Sequence, residues 1–167
     1  TVYGDVDGEG MPEGRPYDIG SHPLAAEAVL AHLSGRAPLR LERVTCQGVR
    51  YAIEPDPQAM QSNRGLLEDV VMTALAGQEP ARLLNVPCPD PPSSRPPETL
   101  MTAALTEPEE QAVMAEYLHV LRARTRALVR QSWAEIQVVA AGLLEHAELD
   151  AEAVKYRIVC AQGIRGS

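Results

Sequence analysis

Phenylalanine is missing altogether from these 167 residues, and aromatic side chains make up only 4% of them. A core has to be built from Leu, Val, Ala and Met instead. That composition favours helix over sheet, because aromatic and β-branched residues mark strands. Basic residues are also short: 15 Lys and Arg stand against 23 Asp and Glu, a formal charge of −8 that is repelled by nucleic acid and by anionic membrane alike. No apolar run approaches the roughly 20 residues that cross a bilayer, and no signal peptide is visible. Three cysteines, Cys46, Cys88 and Cys160, are odd in number, form no CxxC pair and read as free thiols of a reducing cytoplasm. The four histidines, His22, His32, His119 and His146, do not cluster at ligand spacing, so no metal or other cofactor is expected.

What is present divides into three parts. Residues 1–21 form an acidic arm rich in Gly and Pro, without periodicity, expected to be flexible. Asp5, Asp7 and Glu9 alternate there, but the Gly and Glu offsets of a calcium loop are missing. Residues 22–160 read as one helical domain of ordinary size, and 161–167 as a tail whose Arg165-Gly166-Ser167 has the look of a cloning remnant. The start without Met suits a trimmed chain.

The domain opens with HPLAAEAVLAHLSG, residues 22–35. Ser21 suits the cap, Pro23 the first turn and Gly35 the left-handed stop. Leu24, Ala28, Val29, Ala31 and Leu33 give an apolar face on which Glu27 and His32 are the polar exceptions. Two strands follow, LRLERVTC (39–46) and VRYAIE (49–54), joined at Gln47-Gly48 as a hairpin. Val49, Tyr51 and Ile53 alternate with polar positions there, and Pro55 and Pro57 end the run. Ser62 is placed to open a second helix with an apolar stripe from Leu66 to Leu75, which Pro80 should break or kink. Residues 86–99 hold six of the 14 prolines and read as an exposed connecting loop.

From Pro108 the pattern is helical again. Val113, Tyr117, Leu121 and Leu128 define one face, continued by Trp133, Ile136, Val139, Ala140, Leu143 and Leu144. Ser132 fits either a junction between two antiparallel helices or a point within one continuous helix. Arg122, Arg126 and Arg130 share a side at i, i+4, i+8 spacing, either a basic strip for an acidic partner or a solvated face paired with Glu from elsewhere. Leu149 and Asp150 are set to staple and cap a last helix.

AVLAHLSG (28–35), LLEDVVMTALAG (66–77), the E-Q-A of 110–112, and Leu143, Leu144, Glu145, Glu148, Leu149, Asp150, Glu152 and Val154 resemble, in order, the peptidase domain of FtsH-type zinc metalloproteases. The resemblance covers roughly 22–155. It implies a mostly α-helical, peptidase-like domain with one small β-hairpin at a sheet edge, where a peptide adds as a strand. In those proteases two His one turn apart and an Asp hold zinc, with a Glu as general base. Here Pro23 and Leu24 stand in place of the first His and the Glu, Glu27 in place of the second His, and Pro108 in place of the Asp. All of that chemistry is gone. The resemblance therefore implies a non-catalytic module that binds a protein or peptide or serves in an assembly. A homo-oligomer is compatible with it, since the parent proteases form hexameric rings. The rival reading is a hydrolase with an unrecognised site near the former cleft, using Glu27, His32 and Glu107.

Overall fold

A computed structural model describes residues 21–87 and 96–166. Ser21, read as the last residue of the acidic arm, belongs to the first helix. Residues 1–20 of the arm, with Asp5, Asp7 and Glu9, lie outside the described residues. So do residues 88–95 of the proline-rich stretch, Cys88 among them, and residue 167. What is described is mostly helix, with one small antiparallel sheet.

Helix α1 (Ser21–Ser34) is the centre of the molecule. Pro23, Leu24, Ala25, Ala26, Ala28, Val29, Leu30 and Ala31 are all buried, so the helix is apolar nearly all round, which only an element enclosed by others tolerates. Its four alanines let neighbours approach closely. Gly35 ends it at φ +67°, its N–H bonded to the His32 carbonyl, as the left-handed stop requires.

A short 3-10 turn (Ala37–Leu39) leads to strands β1 (Leu41–Thr45) and β2 (Gly48–Tyr51), the expected hairpin. Leu41 and Val44 both face inward although they are three positions apart. Their pairing explains this: Leu41 opposes Tyr51 while Arg43 opposes Arg50, an extra residue in β1 that makes a β-bulge. Val49 and Tyr51 are buried as the alternation requires, but Ile53 lies past the strand and is exposed.

Helix α2 (Pro57–Ser62) precedes the second apolar stripe, and the cap of helix α3 (Arg64–Leu75) is Asn63, not Ser62. Asn63 accepts from the Leu66 N–H at 3.1 Å. The stripe gives way to a 3-10 turn (Ala76–Gln78), and helix α4 (Glu79–Leu84) restarts with Pro80 in its first turn. The predicted break is there, because Pro80 has no N–H to continue the ladder.

Helix α5 (Pro97–Ala104) begins inside the stretch read as a loop, using Pro97 as a helix starter, and buries Leu100, Met101 and Ala104. Helix α6 (Pro108–Ala112) is a single exposed turn and a half. Helices α7 (Met114–Gln131) and α8 (Trp133–His146) meet at Ser132. There the Ser132 N–H still bonds the Leu128 carbonyl and the Ile136 N–H the Ser132 carbonyl. One bond closes α7 and the other opens α8, so Ser132 is the point at which one helix stops and the next starts. The buried face of α7 is Leu118, Leu121, Thr125 and Val129; Val113 and Leu128, expected to be inside, are exposed.

After the left-handed Ala147, strand β3 (Leu149–Asp150) pairs with β1, giving the order β2-β1-β3. Asp150 Oδ1 then accepts from the Ala153 N–H at 2.9 Å and opens helix α9 (Ala151–Gly166). The helix runs through most of the segment read as a tail, and Ala161 within it is buried. Helices α8, α3 and α9 and the sheet pack round α1.

Candidate functional site

Pro23, Leu24 and Glu27 lie on the first two turns of α1. Pro23 and Leu24 are buried among core side chains. Glu27 is half-buried, and one carboxylate oxygen accepts from the Tyr51 hydroxyl of β2 at 2.5 Å. This joins the central helix to the sheet through a charge-assisted bond, the stronger kind. Pro108 belongs to a separate element. It is exposed at the start of α6, with exposed Glu107 just before it. A pair between Arg64 and Glu110 at 2.6 Å ties α6 to the beginning of α3. A zinc ion of the family's kind does not fit this set: neither proline nor Leu24 offers a donor, and Glu27 is engaged. Among the described residues no group of three His, Cys, Asp or Glu side chains is arranged to hold a metal.

His32 sits in the last turn of α1 and lines a cleft of about 480 Å³ between that end, the 3-10 turn, β1 and the start of α9. Neither Glu27 nor Glu107 lines it, so the three polar groups of the hydrolase reading do not share this cleft. Arg36, Arg40 and Lys155 do line it, with Glu152 as the one carboxylate, above a floor that includes Leu39 and Leu41. Burial first, and the Lys155 ammonium second, push the His32 imidazole below its ordinary value of 6.5. At neutral pH the ring is therefore uncharged, able to donate from one nitrogen and accept at the other.

Three of the four arginines of α7 are engaged within the molecule. Arg122 reaches Glu98 at 3.5 Å, Arg124 reaches Glu68 at 2.8 Å and Arg126 reaches Glu79 at 3.2 Å. Glu68 also accepts from the Tyr117 hydroxyl at 2.7 Å. Burial raises the Glu68 carboxyl, but Tyr117, Arg124 and Arg64 together outweigh it and hold the group below its usual range. Of the strip itself, Arg122 and Arg126 are paired across helices, and Arg130 is exposed at its far end.

Sequence reasoning found His32 but missed the cations around it. Arg36 and Arg40 follow the first helix, whereas Lys155 lies on the last one, and no periodicity links residues so far apart in the chain. No known family model and no curated protein matches this chain.

Proposed function

We propose that the chain is a non-catalytic, FtsH-peptidase-like domain that binds a protein or peptide partner. The bond between Glu27 and Tyr51 carries this reading. On the resemblance, Glu27 occupies a ligand position of the zinc helix. Its carboxylate is instead turned to the neighbouring strand, while Pro23 and Leu24 fill the core. The helix serves packing, and the strand it supports is left as the useful surface. β2 stands at the edge of the order β2-β1-β3, and Arg50 is exposed between the inward Val49 and Tyr51. An extended peptide added there gains backbone hydrogen bonds, with alternate side chains giving selectivity.

Two measurements test the reading. Protein purified without chelator should carry no stoichiometric zinc and leave casein intact; one bound zinc per chain together with casein hydrolysis overturns it. Titration with a library of extended peptides should shift the amide resonances of residues 48–51 first. Saturable binding that leaves those amides unmoved refutes the edge-strand mode. Light scattering separates a monomeric binding module from an assembly unit.

A further inference from the structure

On a chain of net charge −8, cations gathered in one concavity run against the average field. The cleft beside His32 brings together Arg36, Arg40 and Lys155, with Glu152 as the carboxylate in its lining and Asp69 paired to Arg36 behind it. Arg36 is also held in place. Its Nε donates to Asp69 at 2.8 Å, and a guanidinium nitrogen lies 2.9 Å from where a Cβ on Gly65 would stand. A guanidinium fixed by its neighbours loses less freedom when it binds an anion than a solvated one does. The carbonyls at the end of α1, which would oppose a negative charge, are partly covered. Ala31 accepts from Ser34 Oγ at 2.8 Å and His32 from the Gly35 N–H at 3.3 Å.

We propose that this cleft binds a small organic oxyanion, its carboxylate or phosphate group held by Arg36, Arg40 and Lys155 and its apolar body seated on Leu39 and Leu41. The volume of about 480 Å³ takes a ligand well beyond a bare ion. His32, kept neutral, adds a hydrogen bond to the bound group without competing for the same counter-charge. The site is separate from the β2 edge, so it stands or falls independently of peptide binding.

The test uses the whole chain labelled at histidine for NMR, with the His32 signals assigned by His32→Gln. The probes are phenyl phosphate, benzoate and neutral benzyl alcohol. Phenyl phosphate or benzoate should shift the His32 ring signals saturably and raise its titration midpoint, since an anion offsets Lys155, and benzyl alcohol should not. Response to phenyl phosphate but not benzoate assigns the group to phosphate, and the reverse assigns it to carboxylate. Replacing the exposed Arg40 and Lys155 together (Arg40→Gln/Lys155→Gln) should weaken binding about tenfold without unfolding the chain. Gly65→Ala, which displaces the Arg36 guanidinium, should also weaken it. No His32 shift with either anion, an equal shift with benzyl alcohol, or unchanged affinity in the double variant overturns the proposal.

Discussion

Arg126 on α7 places its Nε 3.2 Å from a carboxylate oxygen of Glu79, a side chain only 1% exposed at the start of α4. Arg82 approaches the other oxygen at 3.7 Å from the solvent side. A buried carboxylate stripped of its main partner is far costlier than the intact pair is stabilising. Arg126→Ala is therefore expected to lower the stability measured by urea unfolding by about 2 kcal/mol. Glu79→Gln combined with Arg126→Met should lose less than Arg126→Ala alone. Equal losses in the two proteins would show that charge burial is not the cause.

Two helices begin with the same device. Asn63 Oδ1 accepts from the Leu66 N–H at 3.1 Å, and Asp150 Oδ1 from the Ala153 N–H at 2.9 Å. In each case the third residue of the helix would otherwise leave its N–H unpaired. Asn63→Ala and Asp150→Ala should each cost about 1 kcal/mol, while Asn63→Ser should cost only a few tenths. Thermal unfolding of the three variants decides it, and Asn63→Ser behaving like Asn63→Ala would rule out capping.

Gly35 and Ala147 both hold left-handed backbone, at φ +67° and φ +68°. Only glycine does so without strain. Nothing lies within 4 Å of a Cβ placed on Gly35, so strain alone sets the effect there. Gly35→Ala should destabilise by about 1 kcal/mol, and Ala147→Gly should stabilise by about 0.5–1 kcal/mol. Shifts of the same sign in the two exchanges would contradict this.

The ionisable groups predict two steps in stability on acidification. His32 is held below its ordinary 6.5, so between its folded value and 6.5 the unfolded chain binds more protons. The contribution of the neutral ring is complete above pH 6.5 and is lost as pH falls through the folded value. After burial, Lys155 is the charge that opposes protonation there; Arg36, Arg40 and Glu152 line the same cleft. Glu68, also held low, contributes above its ordinary 4.5 and loses that contribution at lower pH. His32→Gln should remove the first step, and Tyr117→Phe should shrink the second. Urea unfolding between pH 3 and 8, on the scale of ordinary His and carboxylate titrations, would reject the account if either variant kept the parent profile.

Features governed by neighbours in the chain were legible from sequence. The left-handed stop at Gly35, the hairpin, the break before Pro80 and the Asp150 cap each depend on a few adjacent residues, and each is found in place. Features decided by packing were not. The 3.6-residue period marks α7 as helical but leaves its rotation open. The competition for burial turned Leu118 and Val129 inward rather than Val113 and Leu128. Pro97 sits in a proline run that reads as loop because proline stops helices, yet at a first turn its fixed φ helps. β3 is two residues long, too short for any alternation to show. Of the cleft, only His32 stood out, since cations on a helical surface look like solvated charge until the fold brings Lys155 against the end of α1.

The sheet is assembled from opposite regions of the chain, and this sets the order in which the molecule can be finished. β2 reaches β1 as soon as the hairpin has left the ribosome. The other flank of β1 waits for Leu149 and Asp150, which are synthesised only after α8. α1 waits as well, because α8 and α9 are among the helices that enclose it. Without those later elements, α1 would leave apolar surface uncovered and one edge of β1 unpaired. The last surfaces of α1 and β1 are covered only by the C-terminal third of the chain.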